Sequence, residues 1–306
     1  MPTCRESLGR RRLRLGEKDI TEKLFEEFPD VFADIVNGLL FNGRTVVRSN
    51  QLEAMKTLSA YKADGKIRPE DRDVAKRWKK SGIRIACIGF ENQTEPDPFM
   101  VLRVLGYDGA EYRYQCLKEN LNQPKYPVVT LVLYFGYKHR WNAATTLYDT
   151  VEVPEEFKPY VQNVGINLFE IAYLTDEQVK LFKSDFRIVA DYFVQKKKGG
   201  NYKPSRKKIN HVQSLLELLS VVENDHRFEE VLKYDDGEEG RLQNMCDVMD
   251  RAEKIGGDKR EAEVNERVAV DMLKEGDKVE KISRISKLSV ESIKKLADKL
   301  GIVAVL

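Results

Sequence analysis

A carboxylate and an amide stand two residues apart at the end of an apolar run in this sequence. In the segment IRIACIGFENQ, residues 83–93, the run ends at Glu91 and Gln93. Residues i and i+2 of a β-strand point to the same face, so the two side chains are expected to lie side by side. A carboxylate held in this way can take part in cation chemistry if a second acid lies close to it.

Asp73 is a second acid that a hairpin would bring close to Glu91. The extended runs DRDVAKRW and IRIACIGFE are separated by KKSG, which is typical of a hairpin connection. A turn centred at about residue 81 or 82 places Asp73 opposite residue 89 or 91, within reach of Glu91 on the same face. A register shift of one residue would turn Asp73 to the other face.

Two carboxylates this close repel each other unless a positive charge lies between them or one is protonated. A divalent cation would remove the repulsion, and Mg²⁺ is typically bound by one or two carboxylates together with carbonyl, water and phosphate oxygens. We therefore predict a magnesium site formed by Asp73, Glu91 and the backbone carbonyl of Asn92, which Mn²⁺ or Ca²⁺ could fill in vitro. The alternative, two solvated acids at strand ends, remains open.

The elements that position this pair are predicted from periodicity. Apolar residues at helical spacing predict two helices within residues 19–41, interrupted at Pro29. The apolar run YPVVTLVLYFG is typical of a strand that is covered on both faces, and INLFEIAYL predicts another strand. Further helices are predicted for FMVLRVLGYDGAEYRYQCLKEN, TDEQVKLFKSDFRIVADYFVQKK and KKINHVQSLLELLSVV. This order indicates an α/β core with a mixed sheet.

The ends of the chain differ in composition from this core. The last forty or so residues show two short amphipathic helices, with Ser289 as the expected cap of the second, in a pattern that resembles a helix-turn-helix. We predict a basic disordered tail (1–17), a main α/β domain (18–235), a charged linker or helix (236–265) and a C-terminal helical hairpin (266–306).

Composition limits the classes of function. The formal net charge of +2 over 306 residues argues against a polybasic binder, although a local basic groove is compatible with it. The four cysteines and three histidines show no metal-ligand spacing, which favours reduced thiols in a cytoplasmic protein without zinc. No apolar run approaches the roughly 20 residues of a membrane span, and no motif for a small-molecule cofactor is present.

Several segments in this order resemble the Rpn family of recombination-promoting nucleases, also called YhgA-like transposases. The segments that carry the resemblance are RDVAKRW, IACIGFENQ, PFMVLRVLGYD, YPVVTLVLYFG, NLFEIAYL and FKSDFRIVADYFVQ, and it extends over roughly residues 19–250. This family belongs to the PD-(D/E)XK nuclease superfamily. The resemblance therefore implies a restriction-endonuclease-like core, a mixed central sheet flanked by helices, with a C-terminal helical appendage.

The superfamily motif is an acidic residue followed by (D/E)-x-K on the next strand. By resemblance, Asp73 matches the first acid and Glu91 the second, and Gln93 stands where the lysine usually is. Asp34 matches a position on the first helix where some members place an extra acid, and two residues match the R…Y that follows the ExQ strand: Arg103 and Tyr107. The implied activity is Mg²⁺-dependent hydrolysis of DNA phosphodiesters, connected with recombination or mobile DNA.

Gln93 makes the activity itself an open question. An amide can position water but supplies no positive charge, so Arg103 is our candidate for that charge, with a helix-surface salt bridge as the alternative. A catalytically weak or inactive DNA-binding or interaction protein with the nuclease fold is the alternative function, and action on RNA is a third.

A basic loop, QKKKGGNYKPSRKK, is the candidate DNA-binding segment. Its composition suits phosphate contacts, and a solvated surface loop is the alternative. Many nucleases of the superfamily form dimers, so the resemblance also allows a homodimer. The candidate DNA-binding residues are Lys196, Lys197, Lys198, Lys203, Arg206, Lys207 and Lys208.

Overall fold

The computed structural model describes residues 24–55, 58–63, 66–71, 73–199, 201–223, 227–233, 242–302 and 305. The basic tail predicted for residues 1–17 lies outside these ranges. The chain divides into two compact units, Met1–His226 and Arg227–Leu306. The first unit therefore ends earlier than the boundary at residue 235 that we predicted from composition.

The described part of the first unit is built on a mixed five-stranded sheet and a separate two-stranded ribbon. The strands are β1 (Leu52–Ala54), β2 (Leu58–Ala63), β3 (Lys66–Asp71), β4 (Val74–Lys80), β5 (Ile83–Gln93), β6 (Val128–Tyr134) and β7 (Asn167–Glu170). In the sheet their order is β1-β4-β5-β6-β7, and β2 pairs with β3 in the ribbon. The pairs β1–β4 and β4–β5 are antiparallel, whereas the pairs β5–β6 and β6–β7 are parallel.

The predicted hairpin is present between β4 and β5. Its two-residue loop has positive φ at both positions, Ser81 (52°) and Gly82 (80°), which matches the right-handed twist of the flanking strands. Lys80 pairs with Ile83 beside the loop, the register shifts at a bulge between Trp78 and Lys79, and Val74 then pairs with Phe90. Continuing this register by one residue places Asp73 across from Glu91, as one of our two predicted registers requires.

Helices cover both faces of the sheet. Phe32 on α1 (Pro29–Phe41) stacks on Phe90, with ring centroids 4.3 Å apart. Arg103 on α2 (Met100–Gln115) binds Glu91, the next residue of β5. Since consecutive strand residues point to opposite faces, α1 and α2 lie on opposite sides of β5. The helices of the first unit are α1 (Pro29–Phe41), α2 (Met100–Gln115), α3 (Leu147–Thr150), α4 (Asp176–Leu181), α5 (Phe186–Lys198) and α6 (Val212–Glu223). The predicted α/β class with a mixed sheet is confirmed.

Two of the predicted elements differ from the structure. The strand predicted for INLFEIAYL stops at Glu170 and continues as a 3₁₀ turn, Ile171–Tyr173. The single helical segment predicted after Leu174 is two helices, α4 and α5, because the chain between them is bound by a carboxylate of another element, as described below.

The second unit consists of α7 (Arg227–Lys233), α8 (Met245–Lys274), α9 (Val279–Ser286) and α10 (Val290–Leu300). Much of the segment that we predicted as a charged linker or helix thus lies in the 30-residue helix α8. Ser289 caps α10 by accepting a hydrogen bond from Ser292 N, after a turn in which Lys287 has φ of 58°. The last turns of α8 pack with α9 and α10 around Ala269, Met272, Leu273, Val279, Ile282, Ile293 and Ala297.

Among the described residues, no helix combines the length and apolar character that a membrane crossing requires.

Phe90→Ala should lower the free energy of unfolding by about 3–5 kcal/mol, because the ring is fully buried in the stack between α1 and the sheet. Urea denaturation measures this loss. Phe157→Ala is the matched control: its ring is 60% exposed, so the change should stay within about 0.5 kcal/mol. Similar losses at both positions would contradict the central place of Phe90 in the core.

Candidate active site

Asp73 and Glu91 both lie at the end of the β4–β5 ladder. Asp73 immediately precedes β4, and its Oδ2 accepts a hydrogen bond from the backbone N–H of Asn92 at 2.7 Å. This bond ties the acid to the residue that follows Glu91. The structure therefore brings together the three residues that we predicted as ligands, Asp73, Glu91 and Asn92.

Glu91 is almost completely buried, with 1% of the residue exposed. Its Oε1 accepts hydrogen bonds from two side chains: the guanidinium of Arg103, through Nη2, and the amide of Gln93, through Nε2 at 3.3 Å. Gln93 thus faces the same way as Glu91, as the strand periodicity predicts. The positive charge near Glu91 comes from α2 and not from the ExQ strand.

Arg103 connects Glu91 to two further groups. Its Nη1 donates to Asp97 Oδ2 at 2.9 Å and its Nη2 to the Tyr107 hydroxyl at 3.0 Å. Burial by itself would lower the pKa of Arg103, but the charge of Glu91 and the hydrogen bond to Asp97 raise it above its ordinary value. Burial, followed by the charge of Glu91, raises the pKa of Tyr107. Arg103 is therefore charged and Tyr107 protonated at neutral pH, while the arginine keeps 37% of its side chain exposed to solvent.

A buried acid on the opposite face completes the surroundings of Asn92. Glu26 Oε2 accepts a hydrogen bond from Asn92 Nδ2 at 2.8 Å, and both residues are buried. Asn92 is thus held through its backbone by Asp73 and through its side chain by Glu26. Sequence reasoning missed Glu26, for which the only signal was its place in the predicted first helix.

Asp34, our candidate accessory acid, holds a loop. Its Oδ2 accepts hydrogen bonds from the backbone N–H groups of Lys183 and Ser184 and from the Ser184 hydroxyl, each at 2.7 Å. These bonds fix the chain between α4 and α5, which explains why the predicted single helix is broken there. No contact joins Asp34 to Asp73 or Glu91 in the part of the chain that the structure describes.

A second buried polar cluster anchors the other end of α2. Arg77 on β4 donates to both carboxylate oxygens of Glu111, at 3.1 and 3.3 Å, and to the Tyr126 hydroxyl at 3.0 Å. The Tyr126 hydroxyl donates to Glu111 Oε1 at 2.7 Å, and burial together with this hydrogen bond raises the pKa of Tyr126 to about 12. Arg77 and Arg103 thus fix α2 to the sheet at both ends, which sets the position of Arg103 over Glu91.

One of the seven predicted DNA-binding residues is partly buried, and the other six are exposed. Lys207 points inward, where its Nζ donates to the carbonyl oxygens of Lys183 and Ser184. Burial lowers its pKa, against the opposing charges of Asp185 and Asp34, so it acts as a structural residue here. Lys198 forms an ion pair with Asp176 at 2.6 Å. The other candidates, Lys196, Lys197, Lys203, Arg206 and Lys208, are exposed.

The donor set of this site consists of oxygens. Among the described residues, no group of three or more His, Cys, Asp or Glu side chains is arranged to hold a metal ion. Mg²⁺ uses only one or two protein carboxylates and keeps several waters, so the types of donor that Asp73, Glu91 and the carbonyl of Asn92 offer are compatible with it.

A comparison with known protein families finds a match for part of the chain. Residues 84–226 match the family model described as "Putative transposase, YhgA-like". The match covers a little less than half of the chain and agrees with the resemblance found in the sequence. The match includes Glu91, Gln93, Arg103 and Tyr107 and begins after Asp73. No curated protein and no solved structure matches the chain.

A double-mutant cycle on Glu91→Gln and Arg103→Met should show a coupling energy on the order of 0.5–3 kcal/mol, because the arginine binds the buried carboxylate directly. Urea denaturation of both single variants and the double variant measures it. Arg113→Met, an exposed arginine near the end of the same helix, is the matched control and should be additive with Glu91→Gln. Additive losses for Arg103 as well would contradict the pairing.

Proposed function

We propose that the protein is a metal-dependent DNA endonuclease with a core of the PD-(D/E)XK type, acting in recombination or on mobile DNA. The observation that carries the proposal is the pair Asp73 and Glu91 at one end of an antiparallel hairpin, with Gln93 and Arg103 on Glu91. The match of residues 84–226 to the YhgA-like transposase family model supports an action on nucleic acid.

The hairpin geometry supports the superfamily assignment. The motif requires a first acid and then (D/E)-x-K on the next strand, and Asp73 precedes β4 while Glu91 and Gln93 end β5. A parallel strand, β6, follows β5 after the helix α2. Apart from Gln93 in place of the lysine, the two acids and the elements that carry them follow the order of the motif.

Asp73, Glu91 and the carbonyl of Asn92 would hold Mg²⁺. When bound, Mg²⁺ supplies Lewis-acid activation of the phosphate and of the attacking water. The hydrogen bond from Asn92 N–H to Asp73 keeps the first carboxylate beside the second before any substrate arrives. Preformed placement of this kind reduces the reorganisation that catalysis would otherwise need.

Gln93 and Arg103 would together take the two roles of the usual lysine, which are to orient the attacking water and to supply a positive charge. The Gln93 amide can accept and donate hydrogen bonds and so orient a water molecule, without adding charge. The partly exposed Arg103 guanidinium can bind a phosphate through two parallel N–H bonds, which would place its charge where negative charge develops. In the described structure the same guanidinium binds Glu91 and Asp97, so phosphate and carboxylates would compete for it.

The substrate is proposed to be DNA, although oxygen-ligand metal chemistry does not itself distinguish DNA from RNA. The homodimer and the cytoplasmic location stay predictions.

Asp73→Asn and Glu91→Gln should each reduce Mg²⁺-dependent nicking of supercoiled plasmid by about 100-fold or more, because losing a ligand costs at least as much as losing an outer-shell partner. Both should also reduce the rise in melting temperature that Mn²⁺ gives the wild-type protein. Glu119→Gln, which alters an exposed carboxylate elsewhere, is the control and should behave as wild type.

Unchanged nicking in both acid variants would refute the proposal. A loss of nicking with an unchanged Mn²⁺ response would contradict the ligand roles while leaving the residues necessary for activity.

A catalytically weak or inactive DNA-binding protein is the second candidate. The observation that favours it is that Arg103 already neutralises Glu91, while an amide stands at the position of the usual lysine. Such a site would keep the fold and the nucleic-acid surface without rapid turnover.

Gln93→Lys separates the two candidates. If the site is active but lacks a cation, the variant should nick plasmid roughly ten-fold faster, which corresponds to about 1.4 kcal/mol in the barrier. Gln93→Met has a similar length without charge or hydrogen bonds and should be slower than wild type. Absence of cleavage with either glutamine or lysine would instead support the binding protein.

A further inference from the structure

Two tyrosines hold three cationic side chains close together on the first unit. The Arg140 guanidinium carbon lies 4.5 Å from the centre of the Tyr173 ring, and Lys197 Nζ lies 5.1 Å from it. Lys196 Nζ lies 5.7 Å from the Tyr137 ring centre, and the Tyr173 hydroxyl donates to the Tyr137 carbonyl at 3.5 Å. These five residues form the tyrosine–cation patch.

The patch is assembled from three separate parts of the chain. Tyr137 and Arg140 belong to the loop after β6, Tyr173 ends the 3₁₀ turn after β7, and the lysines lie in the last turn of α5. The segments that follow β6 and β7 lie close together because the carboxyl ends of parallel strands meet at one edge of a sheet. The last turn of α5 packs against the same place. This edge also carries the end of β5.

The strand register relates the patch to the candidate active site. Gln93 is paired with Tyr134, and Tyr134 is paired with Glu170, so three adjacent strands end in one row. Glu170 accepts hydrogen bonds from Arg140 Nη1 at 2.6 Å and from Trp141 N at 2.9 Å. At about 4.8 Å between neighbouring strands, Glu170, which binds this loop, lies roughly 10 Å from the strand that carries Glu91.

The contacts orient the cations without burying them. Arg140 keeps 66% of its side chain exposed, and both lysines are exposed as well. A cation within about 6 Å of a ring centre is attracted to the ring face, so the long side chains lose freedom before any ligand binds. Ordering side chains in advance reduces the entropic cost of binding. The exposed part of the Arg140 guanidinium and Lys197 Nζ face solvent, where an anion can reach them.

We propose that the tyrosine–cation patch binds the phosphodiester backbone of a DNA strand that runs across this edge of the sheet. At about 3.4 Å of helix rise per nucleotide, the distance from Glu170 to the strand of Glu91 corresponds to about three nucleotides. The choice of DNA rests on the proposed function, whereas the choice of a phosphate backbone rests on the charges and their spacing.

Affinity measured in EDTA tests the patch without any cleavage. Full-length protein is titrated with labelled single-stranded DNA and with the matching duplex at several salt concentrations. Arg140→Ala and Lys197→Ala should each weaken binding several-fold. Each should also reduce the slope of log affinity against log salt by about 0.7 for the single strand or about 0.9 for the duplex.

Matched variants separate the patch from general surface charge and from folding. Arg113→Ala removes an exposed arginine of α2 and should leave affinity and slope at their wild-type values. Tyr173→Phe keeps the ring and should bind as wild type, whereas Tyr173→Leu removes the ring and should weaken binding with little change in slope. Circular dichroism and melting temperature show whether each variant is folded.

Each outcome decides a part of the proposal. Wild-type affinity and slope in folded Arg140→Ala and Lys197→Ala would overturn it, as would equal losses in Arg113→Ala. Patch-dependent binding of a matched RNA strand, with none of DNA, would overturn the choice of DNA. The affinity assay contains no metal and therefore does not depend on cleavage. An absence of nicking by the wild-type protein in the separate Mg²⁺ assay would refute the proposed endonuclease and leave this result unaffected.

Discussion

Glu91 carries a carboxylate that is almost entirely removed from water, and the surrounding structure is arranged around that charge. An ionised group in a protein interior is tolerated only when it is paired and hydrogen-bonded. Arg103 provides the charge, Gln93 a second hydrogen bond, and Asp97 and Tyr107 hold the arginine in turn. Breaking a pair of this kind is expected to be costly, so the position of α2 is tied to the position of one carboxylate.

A second buried pair makes this arrangement rigid. Arg77 and Glu111 join β4 to the last turns of α2, on the same face as Glu91 but toward the other end of the helix. With an arginine–carboxylate pair near each end, α2 cannot rotate without breaking one of them. The opposite face is held by apolar packing of Phe32 on Phe90 and by the hydrogen bond between Asn92 and Glu26. The end of β5 is therefore constrained from both sides.

A structural feature could be predicted from the sequence when the residues that determine it lie close together in the chain. The strand after KKSG, the parallel strand YPVVTLVLYFG and the pairing of Asp73 with Glu91 depend on neighbouring segments and on strand periodicity, and these predictions agree with the structure. The hydrogen bonds of Asp34 to Lys183 and Ser184 join residues about 150 positions apart. The spacing of apolar residues along the chain does not predict bonds of this kind. The same holds for Glu26 with Asn92 and for Tyr173 with Arg140. The residue types can be read from the sequence, but the partners that these side chains bind depend on how whole helices and strands pack together.

The bulge between Trp78 and Lys79 has a consequence for how the chain can change over time. Beside the loop Lys80 pairs with Ile83, and a ladder continued from there without interruption would set Asp73 against Phe90, facing α1. The one extra residue on β5 restores the register that sets Asp73 against Glu91. Deleting a single residue in this hairpin could leave the strands paired and still separate the two acids. The site is thus more vulnerable to insertions and deletions in an inconspicuous stretch of strand than to most substitutions there.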